Sequence, residues 1–202
     1  MSYFSSLVEF YVFTLLFIFF LISEVIIKIY ADINRLRSFN KRKSSDVGSI
    51  FIAIIGLFGS LQLSFFLSND SMSSSVIRLH LPNFIFFFGV FFMLGGVVLR
   101  CVSVLTLKRA FTVVVQTTVN QKLIKHGMYK FLRNPSYTGL LLFTIGVALS
   151  LRNLTAVILS LILFTVCFGI RIIVEEKALR TRFGQEFDEY CINTWRLIPF
   201  IW

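Results

Sequence analysis

Residues Leu7 to Ile29 form a nearly unbroken apolar run, long enough at ~1.5 Å per residue to cross a hydrocarbon core about 30 Å thick. No water reaches a peptide group at that depth, so such a run reads as a helix that closes its own hydrogen bonds. It is expected to be retained rather than cleaved as a leader: no basic residue precedes it, it is about twice as long as a leader's apolar region, and no small-x-small pattern follows. The composition agrees. Mean hydropathy is +0.82, with 56% hydrophobic and 15% charged residues, where a soluble domain carries about 25% charged. A length of 202 residues suits one compact bundle of four to six spans and excludes several large domains.

Four further apolar runs follow, at Ile50 to Leu67, Phe84 to Leu99, Thr138 to Leu151 and Leu154 to Val174. The fourth run is barely long enough to cross, so it is either a short or tilted helix or one that begins a turn earlier. Only Arg152-Asn153 separates it from the fifth, so a tight turn joins the two. No Lys or Arg occurs before Lys28, Arg78 is alone between spans two and three, and Arg152 is alone between spans four and five. Basic residues instead crowd Arg35 to Lys43, Lys108 to Arg133 and Lys177 to Arg182, which the positive-inside rule puts in the cytoplasm. The expectation is an all-α membrane protein of five transmembrane helices, N-terminus outside, with a cytoplasmic cofactor-binding loop and a helical C-terminal extension. It is a single domain over 1–202, with the first three spans in 1–106 and the loop, helical hairpin and C-terminal segment in 107–202. This topology and attraction to anionic lipid account for most of the +10 formal charge, and nucleic-acid binding is not expected.

Any chemistry must then sit in two cytoplasmic pieces, Thr106 to Tyr137 and Arg171 to Trp202. The first holds six basic residues and no acid. It opens with the β-branched stretch Phe111 to Val119, whose strand-like backbone cannot face lipid. It ends at Pro135-Ser136, which suits a helix start whose free N–H groups favour an anionic or carboxylate-bearing ligand, or which is a plain cap. In the second piece span five continues into water as far as Gly184, which reads as its C-terminal cap. Arg171 and Glu175 are four residues apart and share a face. Alone, the pair reads most simply as a boundary arginine that snorkels beside a helix-surface glutamate, though such a pair could also grip a zwitterion. Glu176 with Arg180 reads as a solvated pair on the neighbouring face.

The motifs Tyr129-(x3)-Arg133-Asn134-Pro135-Ser136-Tyr137-Thr138-Gly139, then Arg171-(x3)-Glu175-Glu176-(x2)-Leu179-(x3)-Phe183-Gly184-(x2)-Phe187-(x2)-Tyr190, and the tail Trp195-Arg196-Leu197-Ile198-Pro199 form an ordered set. Together they resemble the isoprenylcysteine carboxyl methyltransferases and their bacterial relatives, over roughly Gln116 to Trp202. One departure is Asn134, where that family often has His; Asn can donate a hydrogen bond but cannot titrate near neutrality.

The resemblance implies S-adenosylmethionine as cofactor and a lipophilic acceptor within the bilayer. Carried over by motif, the cofactor contacts would be Gln116, Gln121, Lys122, Leu123, Ile124, Tyr129, Asn134, Pro135, Ser136, Tyr137 and Glu175, while Arg171 would bind the acceptor carboxylate. Arg171 and Glu175 are thus the candidate catalytic residues. A carboxylate is already ionised well above its reference pKa of about 3.5, so methyl transfer to it needs alignment rather than a base. Methylation of a phospholipid amine is the rival within the same architecture, but an ammonium of pKa near 10 would need a base that the sequence does not offer. A non-catalytic membrane scaffold is the reading from another class. The three cysteines lack CxxC spacing and a partner His, so no metal and no disulfide framework are expected. Gly56, Gly59, Gly89 and Gly95-Gly96 read as close helix contacts, and Glu9 and Glu24 as acids that reach the interface from the two ends of span one.

Overall fold

The computed structural model describes residues 4–37, 47–69, 79–107 and 123–202. Six α-helices account for most of them: α1 (Leu7–Arg37), α2 (Val47–Ser68), α3 (Ile85–Leu107), α4 (Pro135–Ser150), α5 (Leu154–Phe183) and α6 (Gln185–Ile192), with a 3-10 turn at Gly127–Lys130. The β-branched stretch Phe111 to Val119 lies outside the described residues. Four helices, α1, α2, α3 and α5, are long and apolar enough to cross a membrane. The expected five spans are therefore four plus a short helix, one of the alternatives open for the fourth run: α4 has 16 residues, about 24 Å of helix. It starts at Pro135, a turn before the apolar run does, because proline suits the first helical position.

The short helix is the most deeply buried. Twelve residues of α4 are buried, distributed around its whole circumference, so it is packed by protein rather than lipid. Its tightest neighbour is α3. A Cβ placed on Gly96 would lie 2.6 Å from the Gly139 carbonyl oxygen, and one on Gly146 would lie 2.6 Å from the Met93 amide nitrogen. Gly89 meets Ser150 and the Gly146 carbonyl in the same way. The glycines are seven residues apart on both helices, two turns, so antiparallel backbones meet twice on one face. Gly95, by contrast, faces open space, which corrects its reading as a helix contact.

Helices α2 and α5 form the second close pair. Gly56 meets Cys167, Gly59 meets Leu163, and a hydroxyl ladder joins Ser64 to Ser160 (2.8 Å) and Ser160 to the Ser60 carbonyl (2.9 Å). Helix α1 lies against the bundle through phenylalanines; Phe20 stacks on Phe143 of α4 at 3.7 Å between ring centroids. Its outer face leaves Val8, Leu15 and Ile26 exposed, as a lipid-facing surface would.

Two of the three acids of α1, Glu9 and Glu24, turn to arginines of the bundle, where the expectation had them simply reaching the interface. Glu9 pairs with Arg152 at 3.4 Å, and Glu24 takes two bonds from Arg100 of α3 at 2.9 and 3.0 Å. An isolated charge at that depth is costly, and pairing in protein is the available remedy. Arg152 also donates to Asn83 and has φ of 55°, in the left-handed turn that links α4 to α5.

Candidate functional site

Helix α4 begins, and α5 leaves its apolar stretch, at the same end of the bundle. The i, i+4 spacing of Arg171 and Glu175 does form an ion pair, Nη2 to Oε1 at 2.6 Å. Tyr137, in the first turn of α4, donates its hydroxyl to the same Glu175 oxygen at 2.6 Å. Arg171 is 2% exposed and is gripped from three sides, since Nε donates to the Tyr137 hydroxyl at 3.4 Å and Nη1 to Ser49 of α2 at 2.6 Å. Three helices thus converge on one guanidinium. Glu175 remains half-buried, so the pair has a closed side on Arg171 and a more open side on the acid.

The Asn134-Pro135-Ser136-Tyr137 stretch does not present every side chain to that opening. Ser136 turns inward and accepts a bond from Arg100, the arginine already held by Glu24. Asn134 donates its amide to the Arg196 carbonyl at 3.0 Å and makes no side-chain cap to α4. Tyr129 is buried above the end of α3, with its hydroxyl 3.5 Å from the Ser103 carbonyl. Burial is the main reason its phenol is pushed well above the usual tyrosine range, with Arg100 opposing and Tyr137, Tyr190 and Glu175 adding to the effect. Leu123 and Ile124 are half-buried just before the 3-10 turn, and Gln116, Gln121 and Lys122 lie outside the described residues.

Glu176 is the main correction. It is not solvated beside Arg180 but 4% exposed, holding Arg133 at 3.0 Å and Arg196 at 2.9 Å. Arg133 also donates to the carbonyls of Cys191 (2.8 Å) and Thr194 (2.6 Å). Arg180 pairs instead with Asp188 of α6 at 2.7 Å, both side chains half exposed. The buried acid clasps the segment after α6 to the segment before α4, beneath which Tyr190 donates to the Tyr129 carbonyl at 2.6 Å.

Two residues at this end escaped the sequence reading, Arg100 and Ser49. Arg100 carried a signal: it closes an apolar run while Glu24 interrupts another, and two opposite charges at membrane depth are driven to pair. Ser49 carried none, because a serine at a helix start has no distinguishing neighbour in the chain.

As a donor set, this end suits S-adenosylmethionine in part. Glu175 would meet its ammonium and sulfonium, and the aromatic and aliphatic walls of Tyr137, Tyr129, Leu123 and Ile124 suit an adenine. The side chains of Asn134 and Ser136 are spent on the fold, so those positions would contribute backbone and shape.

Comparison with known proteins places these elements in context. A family model described as phospholipid methyltransferase matches residues 84–186, from the start of α3 to the start of α6. A rice protein named probable protein-S-isoprenylcysteine O-methyltransferase is 36% identical over 121 residues, 58% of this chain and 63% of that one. Protein-S-isoprenylcysteine O-methyltransferase B of Arabidopsis thaliana is 30% identical, over 56% of this chain and 59% of that one. The Saccharomyces cerevisiae protein-S-isoprenylcysteine O-methyltransferase is 32% identical, over 56% and 48%. Among solved structures, the eukaryotic intramembrane Ras methyltransferase, an isoprenylcysteine carboxyl methyltransferase, superposes with a TM-score of 0.56 at 26% identity, covering 75% of this chain and 52% of that one. The chain spans less than two-thirds of the length of these relatives.

Proposed function

Because the chain belongs to the phospholipid methyltransferase family, we propose that it is a multi-pass membrane enzyme that methylates the carboxylate of a lipid-linked acceptor, with S-adenosylmethionine as methyl donor. The observation that carries this reading is the Tyr137–Glu175–Arg171–Ser49 cluster, a buried arginine fork beside a half-exposed acid at the rim of an apolar bundle. Relatives named protein-S-isoprenylcysteine O-methyltransferase support an isoprenylcysteine as the acceptor class. The crowding of basic residues at this end supports its facing the cytoplasm.

When bound, S-adenosylmethionine supplies a methyl group on a cationic sulfur. The chain's own residues do the rest. Glu175 and the start of α4 would hold that molecule on the water side of Arg171. Arg171 would bind and orient the acceptor carboxylate once the closed side of the pair opens to admit it, and its three partners keep the fork ordered until then. No residue need take a proton, because the acceptor is ionised. Tyr137, Phe168 and the other apolar side chains around the cluster exclude water, which lets orientation and dehydration of the reacting oxygen account for the acceleration.

The family description itself favours a second acceptor, a phospholipid amine. That reaction must remove a proton from an ammonium, and the described histidines are poorly suited to it. His126 is exposed ahead of the 3-10 turn, and His80 pairs with Asn153 at the opposite end. The detergent-purified chain, titrated calorimetrically with S-adenosylhomocysteine and then assayed with labelled donor, should bind it and methylate a farnesylcysteine analogue far faster than phosphatidylethanolamine. Faster labelling of the amine would transfer the reading to the second acceptor. Absence of binding would leave a scaffold.

A further inference from the structure

The chain has two tryptophans, Trp195 and Trp202, and both follow α6. That segment does not leave the bundle. Trp195 donates to the Phe131 carbonyl (2.9 Å) and accepts from the Arg133 amide (2.8 Å), after which Leu197 is fully buried in the main core with Phe168 and Ile172. Thr138 of α4 donates to the Leu197 carbonyl at 2.7 Å, and a Cβ on Gly169 of α5 would touch the Trp202 ring at 3.4 Å.

These contacts give the segment a depth. Gly169 lies fifteen residues from Leu154 at the far end of α5, about 22 Å along the helix. Thr138 lies twelve residues from Ser150 at the far end of α4, about 18 Å. Both are inside a hydrocarbon core of about 30 Å. Residues Leu197 to Trp202 therefore run beside the spans at a depth that lipid occupies elsewhere around the bundle.

Three features suit that depth. Four of the segment's five amides bond within it: those of Leu197 and Ile198 donate to the Trp202 carbonyl, and those of Ile201 and Trp202 to the Ile198 carbonyl, so most of this non-helical chain needs no water. Phe200 (84%) and Ile201 (77%) nevertheless point outward, and Phe200 does so from a φ of 65°, a conformation unfavourable for a bulky residue. In water both choices are costly; against acyl chains the exposure is favourable. Finally, the outward side continues the exposed Val166–Ile170–Ile173 stripe of α5, on the same helix face as Gly169. The neighbouring charge stays with protein, since Arg196 pairs with Glu176 and lies 5.3 Å over the Trp202 ring.

We infer that Leu197 to Trp202 forms a re-entrant wedge that inserts among the acyl chains, with lipid as the occupant of the Phe200–Ile201 face. The inference rests on the chain spanning a bilayer. It ties the extramembrane part of the site to the bilayer surface, since the stretch immediately before the wedge, Cys191 to Arg196, is clasped by Arg133, Asn134 and Glu176.

The tryptophans report their own depth. In proteoliposomes of phosphatidylcholine brominated along its acyl chains, the Trp195→Phe chain, which keeps Trp202, should lose most of its emission, while aqueous acrylamide quenches it little. Phe200→Asp with Ile201→Asp in that chain should restore much of the emission. Phe91→Trp, on the exposed face of α3 in a Trp195→Phe/Trp202→Phe chain, reports a span. If Phe91→Trp is quenched by bromine and Trp202 is not, the wedge is overturned and the spans stand. Acrylamide access to Trp202 then means water covers the face, and protection from both quenchers means a second protein copy does. Failure of bromine to quench either position overturns the spans and the wedge together.

Discussion

Glu175 and Glu176 are neighbours in sequence and opposites in setting. A helix turns about 100° per residue, which carries Glu175 towards Tyr137 and the open rim and Glu176 into the bundle between Arg133 and Arg196. Glu175→Gln should leave the fold intact and weaken S-adenosylhomocysteine binding roughly 10- to 150-fold, the loss of one charge-assisted contact of ~1.5 to 3 kcal/mol. Glu176→Gln should instead lower thermal stability by about 3 kcal/mol, because two guanidinium groups lose their buried counter-charge. Calorimetric titration and a melting curve on each variant check both, and equal binding losses would show that Glu175 is no nearer the cofactor than Glu176. Arg171→Lys keeps the charge but loses the planar fork. Turnover with a carboxylate acceptor should fall sharply while S-adenosylhomocysteine affinity stays within a few-fold; unchanged turnover would remove Arg171 from the mechanism. At Asn134 the fold asks only for a donor to the Arg196 carbonyl. Asn134→His can keep that bond, whereas Asn134→Asp puts an acceptor against an acceptor and should cost about 1 to 3 kcal/mol in a melting curve.

At the scale of helices, α3 and α4 are joined by absence of side chains rather than by their presence. Gly96→Leu would drive a side chain into the backbone of Gly139 and Phe143, atoms that cannot swing aside, so the pair must separate. Overpacking of this kind costs at least 1 to 3 kcal/mol, and here the displaced helix carries Ser136 and Tyr137. Gly95→Leu, one residue away and facing open space, should be nearly neutral. Yield of monodisperse protein in detergent and cofactor binding should therefore fall for Gly96→Leu alone; similar behaviour of the two variants would mean the helices are not in contact there. The seven-residue spacing on both helices was present in the chain, as was the i, i+4 relation of Arg171 and Glu175. The pairing of α2 with α5 was not, because its serines are common residues at unremarkable spacing and only meet across 96 and 100 residues.

For the whole molecule, the charged end and the end that carries Glu9 and Arg152 must lie on opposite sides of a bilayer. The asymmetry of Lys and Arg supports the proposal that the charged end faces the cytoplasm. With the native cysteines replaced, Leu79→Cys should react with an impermeant maleimide added outside intact cells, and Lys177→Cys only after permeabilisation; both positions are exposed and lie at opposite ends of the bundle. The reverse pattern would invert the topology and move the site to the outer face. By itself the amino-acid sequence determined that the chain is helical and membrane-embedded, where four of its spans run, and that Arg171 and Glu175 share a face. Those properties follow from periodicity, apolar length and local spacing, all carried by residues within a few turns of one another. Only the tertiary structure decided that α4 is a short helix sheathed in protein, that Glu24 belongs to Arg100 and Glu176 to Arg133 and Arg196, and that Asn134 serves the tail. The reason is physical: a buried charge or donor must find a partner, but its identity depends on which distant segments the packing brings within 3 Å.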